Sequence, residues 1–197
     1  MKKHVEQPAM VDALVQEVQW LLRQQSTPEA AAACRKFNPS AQDVYGVRVP
    51  VLNNLAKQFA RGGFDLVAAL WQRGAFEERL LAVKLLGLVC KKDPARTLEM
   101  MLQFSVELQD WAVCDTLGTQ GVRGIAVAKQ AEIVLIAEQL VQSQRMWQQR
   151  LAIVLLTNYA KRAHMHPEIL RIVQPLETTR DKYIKMGLAW LKRDMAK

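Results

Sequence analysis

A three- and four-residue apolar period runs through this chain and points to helices almost everywhere. Met10, Leu14, Val18 and Leu21 follow it, as do Val51, Leu52, Leu55 and Phe59, and again Leu80, Val83, Leu86 and Val89. Residues so spaced line one face of a helix. Breakers stand between the runs: Ser26-Thr-Pro28, Asn38-Pro-Ser40, Gly62-Gly63, Gly74, Asp93-Pro94, Gly118 to Gly124, His166-Pro167 and Thr178-Thr179. Strand-like alternation never exceeds a few residues. Tyr45-Gly-Val-Arg-Val-Pro50 reads as extended at most in part, because Pro50 suits the first turn of a helix.

An internal repeat sharpens the reading. Phe76-Glu-Glu-Arg79, Trp147-Gln-Gln-Arg150 and Lys182-Tyr-Ile-Lys185 each open a helix with a cation at the same early position. Each then turns apolar, with a small residue (Ala82, Ala152, Gly187) soon after. Tryptophans recur at 71, 111, 147 and 190, roughly one per helix pair. The expected fold is all-α: a HEAT-like helical-repeat solenoid over residues 1–197 as a single domain, C-shaped, with a basic concave groove. Arg79, Arg150 and Lys185 would line up along one side, and a row of cations suits a nucleic-acid backbone. The competing reading pairs each cation with a carboxylate or carbonyl between repeats.

Charge supports a polyanionic partner, since the net charge is +8 over 197 residues. Solubility alone is the plainer explanation of such a surplus. No apolar run is long enough for a membrane span, and no signal-like stretch follows the charged Met1 to Glu6 segment, so cytoplasm is the expected compartment. The three cysteines, Cys34, Cys90 and Cys114, are far apart and form no CxxC pair; they read as reduced core residues.

The candidate chemistry sits in Trp111-Ala-Val-Cys-Asp115. Trp111 and Asp115 are four residues apart and share a helical face. Val113, Cys114 and Leu117 are apolar, so the carboxylate is costly to place there unless something compensates it. A carboxylate beside an aromatic ring in a basic protein is suited to stabilising a cation within a nucleic acid. Taken alone, Trp111 is a core ring and Asp115 a tie between helices, with Arg150 as its natural partner.

Together these residues resemble the HEAT-like alkylpurine DNA glycosylases, the AlkD-like family. The likeness rests on Tyr45-Gly-Val-Arg-Val-Pro50 with Leu55-Ala-Lys57, on Trp111 with Asp115, on Trp147 with Arg150 and Ala152, and on Lys185 with Trp190. The resemblance implies excision of N3- or N7-alkylated purines from double-stranded DNA. It implies that Trp111 and Trp190 pack against the deoxyribose, that Asp115 lies beside the anomeric carbon, and that Arg150 holds a phosphate or orients Asp115. Trp111, Asp115 and Arg150 are then the catalytic set. Trp147, Trp190, Lys185, Arg79, Arg48 and Lys57 are the DNA-binding set. An alkylated purine is already cationic and leaves readily, so a carboxylate that stabilises the oxocarbenium-like sugar is the main requirement. Asn53, Asn54 and Ala112 depart from the family, which commonly has a basic or acidic residue there. Hydrolysis without strand cleavage is expected, by a monomer with no metal and no cofactor.

Two other classes stay open: a DNA-binding relative that recognises shape without excising, and a protein-binding helical scaffold. His164 and His166 resemble half a metal site but have no third ligand at helix spacing. The glycines 118, 121 and 124 around Arg123 read either as a phosphate cradle or, preferably, as a flexible break between helices. Trp20 and Trp71 are assigned to packing. Arg48, Lys57 and Arg61 are expected to be exposed, touching DNA or only solvating the surface.

Overall fold

Gln19 and Tyr45 meet at a carboxylate of Glu78, and contacts of this long-range kind organise an otherwise local, all-helical chain. The computed structural model describes residues 3–41 and 43–197, with side chains from Pro8 onward, so the charged segment at Met1 to Glu6 lies outside the described side chains. Among the described residues there is no strand. The fold is an all-α helical repeat, divided into two units, Met1–Asp93 and Pro94–Lys197. No described helix is long and apolar enough to cross a membrane.

The first unit contains α1 (Lys3–Gln24), α2 (Pro28–Phe37), α3 (Val49–Phe59), α4 (Gly63–Arg73) and α5 (Phe76–Val89). Pro50 falls in the first turn of α3, where its missing N–H is no loss. Gly74 ends α4 at φ +89°, a left-handed cap that costs other residues more. α5 is apolar on nearly every side from Leu80 to Leu86, and α3 and α4 both pack against it. A helix apolar all round belongs in the middle of a stack. Trp71 is fully buried as expected. Trp20 is not a packing residue: it is 57 % exposed on α1, whose buried side is carried by Leu14, Val15, Val18 and Leu22.

Two adjacent glutamates at the start of α5 hold the segment before α3. Glu77 accepts the backbone N–H groups of Tyr45, Gly46 and Val47 at 2.9, 2.7 and 3.1 Å. Glu78 accepts Gln19 Nε2 at 2.8 Å, the Tyr45 hydroxyl at 3.0 Å and the Ala75 N–H at 3.2 Å. Both carboxylates are buried, and this dense donor set offsets the desolvation. Burial and the nearby Glu78 push the Tyr45 phenol up to about 12. Gly46 has φ +87°, and a Cβ there would lie 2.6 Å from the Thr27 carbonyl oxygen, so the turn requires glycine.

The second unit contains α6 (Pro94–Ser105), α7 (Trp111–Thr116), a π-helical turn at Leu117–Gly121, α8 (Gln130–Val141), α9 (Met146–Thr157), α10 (His166–Val173) and α11 (Lys182–Met195). α9 is continuously buried from Arg150 to Leu156. α7, α8 and α11 all pack on it, which explains why its sequence is apolar without a polar stripe. The glycine run after α7 is no flexible break. Gly118 and Gly121 are buried in the π turn, and a Cβ on Gly118 would stand 2.7 Å from Val154 Cγ1. Glycine here lets the turn after α7 rest directly on the Val154 and Leu151 side chains of α9.

Candidate functional site

α7 starts where Asp110 caps it. The Asp110 carboxylate accepts the Val113 N–H at 2.9 Å, satisfying a donor of the first turn. Trp111 is the first helical residue and Asp115 stands one turn further along the same side. Cys114, between them in the buried direction, directs its S–H to the Trp147 carbonyl at 3.6 Å. Burial, joined by the negative charge of Asp115, raises its thiol well above the usual range, so it stays protonated and is no nucleophile.

Asp115 and Arg150 form a two-point pair. Arg150 Nε donates to Oδ1 and Nη2 to Oδ2, both at 2.8 Å. Nη1 donates to the backbone carbonyl of Tyr183 on α11. All three guanidinium nitrogens are thus engaged, one helix on either side of α9. The Arg150 side chain is 5 % exposed and that of Asp115 19 %. Arg150 is therefore not a free groove cation. The structure corrects that part of the ladder in favour of pairing with a carboxylate and a carbonyl. Burial lifts the Asp115 carboxyl above its ordinary value, against the hydrogen bonds and charge of Arg150. Burial pulls Arg150 down, and Asp115 more than reverses it, so the guanidinium remains a cation.

Trp147 and Tyr183, whose carbonyls meet Cys114 and Arg150, also meet each other through their rings. The Trp147 and Tyr183 rings lie 5.0 Å apart at 41°, both half-buried, and Lys182 Nζ stands 4.8 Å over the Tyr183 ring. Lys185 is exposed on α11. Trp190 is half-buried, and its Nε1 donates to Asp194 Oδ2 at 2.7 Å. The remaining candidates belong to the first unit. Arg48 and Lys57 are exposed at the start and end of α3. Arg79 is half-buried, its guanidinium 4.8 Å over the ring of Trp71. His164 is exposed, while His166 Nε2 lies 2.7 Å from the Ala160 carbonyl. Among the described residues no cluster of three His, Cys, Asp or Glu could hold a metal ion.

The sequence model of the DNA alkylation repair enzymes matches residues 18–197. The chain belongs to the DNA alkylation repair enzyme family. No curated protein matches it in sequence. The family match spans Trp111, Asp115, Trp147, Arg150, Tyr183 and Trp190, so every candidate residue of this cluster lies within the matched region. Sequence reasoning passed over Tyr183. Tyr183 carried a weak signal, an aromatic in the first turn of the third repeat copy. Its use of a backbone carbonyl to hold Arg150 leaves no trace in residue type.

Proposed function

We propose that this repair enzyme hydrolyses the N-glycosidic bond of cationic N3- or N7-alkylated purines in duplex DNA. The observation that supports this best is the Asp115 carboxylate: fixed at both oxygens by Arg150, yet open to solvent over 19 % of its side chain. Each carboxylate oxygen has a second lone-pair site. A sugar cation at the opening would meet a preoriented anion in a poorly hydrated setting, where electrostatics is strongest.

The bond between C1′ and the purine nitrogen breaks, its electron pair neutralises the cationic base, and the sugar becomes oxocarbenium-like. Water adds at C1′ and its proton leaves to solvent, giving an abasic site and free base. Asp115 stabilises the positive sugar, and Trp111 beside it adds the attraction of a ring face for a cation. Arg150 is a positioning residue in this scheme, because a guanidinium so buried orients Asp115 rather than gripping a phosphate. Trp147, Trp190, Lys185, Lys57 and Arg48 are the expected DNA contacts.

The test is release of free base from duplex containing N7-methylguanine. Asp115→Asn should lower the rate by roughly a hundred- to a thousandfold. Release unchanged in that variant would falsify the role of the carboxylate. The same two-point pair also fits a purely structural tie, as in a relative that binds DNA without excising. Wild-type release no faster than the spontaneous reaction would select that reading.

A further inference from the structure

The helix bearing Asp115 does not end normally. Directly after Thr116 it widens into the π turn at Leu117–Gly121. A π turn breaks the regular ladder of hydrogen bonds and leaves carbonyls in need of other donors. Two side chains supply them. The Thr119 hydroxyl donates to the Asp115 carbonyl at 2.6 Å. From α9, Asn158 Nδ2 donates to the Gly118 carbonyl at 2.8 Å and to the Leu155 carbonyl at 2.9 Å. Both partners are carbonyl acceptors, so the amide must present its –NH₂ and both of its N–H groups are used.

From these contacts we infer that Asn158 is a positioning residue for Asp115. The inference rests on the reading of Asp115 as the catalytic carboxylate. α7 and α9 are joined at three levels. Cys114 meets the Trp147 carbonyl at one end, Asp115 meets Arg150 in the middle, and the Gly118 carbonyl meets Asn158 at the other end. Asn158 is the tie one helical turn beyond the carboxylate. Gly118 allows it, because a Cβ there would be only 2.7 Å from Val154 Cγ1 and would push the turn away from α9. Without the amide, the Gly118 carbonyl loses its donor from α9. The π turn then has a reason to relax into a regular helix, which rotates Asp115 relative to Arg150.

Asn158→Ala removes both donors, and Asn158→Asp removes them while keeping the shape. Thr157→Ala is the control: it deletes a hydroxyl on the same helix end whose hydrogen bond, to the Val154 carbonyl at 2.6 Å, stays within α9. Two readouts are taken on each folded variant. The first is hydrogen exchange of the Arg150 side-chain Nε–H, followed by ¹⁵N NMR, which reports the pair independently of any activity. It should speed up in both Asn158 variants and stay at the wild-type rate in Thr157→Ala. The second is the single-turnover rate of N7-methylguanine release at saturating protein, expected to fall by roughly tenfold with DNA affinity unchanged. Unaltered Arg150 Nε–H protection in a folded Asn158 variant overturns the inference, as does equal acceleration in the control. If Asn158→Ala does not fold, Asn158→Asp decides alone. A wild type that releases no base overturns the glycosylase reading instead, and leaves the exchange result to stand or fall by itself.

Discussion

Asp115 and Arg150 are each placed where neither would be tolerated alone. Removing one partner of a buried pair leaves a desolvated charge and costs about 3–5 kcal/mol. Asp115 keeps some access to water, so Arg150→Gln should lose about 3 kcal/mol, the lower end of that range, in urea unfolding. The pH dependence follows from the direction of the Asp115 shift. Burial, opposed by Arg150, holds this carboxyl above the ordinary aspartate value. The proposed reaction needs the anion, so the rate falls as pH drops through the folded-state pKa. The acid limb should therefore lie above about 3.9, the value of an unperturbed aspartate. Arg150→Gln removes the two influences that lower the pKa and should move the limb to still higher pH. Stability runs the other way. The folded state holds this proton more tightly than the unfolded one, so the contribution of Asp115 is full below the unfolded pKa and declines as pH rises through the folded value. A rate profile whose acid limb lies below that of free aspartate would contradict the assignment.

At the level of elements, the π turn and the central helices decide what the site can be. Gly118→Ala would set a Cβ 2.7 Å from Val154 Cγ1 and 3.2 Å from Leu151 Cδ1. Val154 and Leu151 are fully buried, and the branched Val154 has no free rotamer to yield. We expect a loss of about 1–3 kcal/mol in thermal or denaturant unfolding, typical of overpacking, together with slower base release as α7 is forced from α9. Wild-type stability in that variant would mean that the turn is not held against α9 as described. The helices themselves were legible in the sequence, because apolar period and breakers are local signals: Pro50, Gly74, Pro94 and Pro167 all mark helix starts or stops. The opening of α9 was legible too, but it left Arg150 either as a groove cation or as the partner of Asp115, and only the packing of α7 on α9 selects the second. What escaped was tertiary. Glu77 and Glu78 carried no signal beyond their place at a helix start, yet they are buried, with donors 30 or more residues away. Trp20 read as core, although the apolar side of α1 is complete without it. The π turn read as a break because glycine marks both flexibility and close approach, and the packing of Val154 decides between them.

At the scale of the whole chain, the +8 charge turns the proposed hold on DNA into a salt-dependence prediction. Phosphate contacts release counterions, so binding weakens with salt, with a log–log slope of about −0.9 for each phosphate neutralised. Exposure separates the candidate cations. Lys57 and Lys185 are exposed, so replacing either by alanine should weaken binding to any duplex sequence and flatten the slope by about 0.9. Arg79 differs, since its guanidinium lies over the buried Trp71 ring and is half-buried itself. Arg79→Ala should lower stability by about 1 kcal/mol through the lost cation–π contact and leave the salt slope as it was. Asp115→Asn should likewise leave the slope unchanged, because that carboxylate neutralises no phosphate. Affinity titrations of these four variants between low and moderate salt distinguish a DNA-binding face from a merely soluble one. If Lys57→Ala and Lys185→Ala leave the slope untouched while Arg79→Ala flattens it, exposure is the wrong guide, and the repeated cation at the start of α5 is the DNA contact after all.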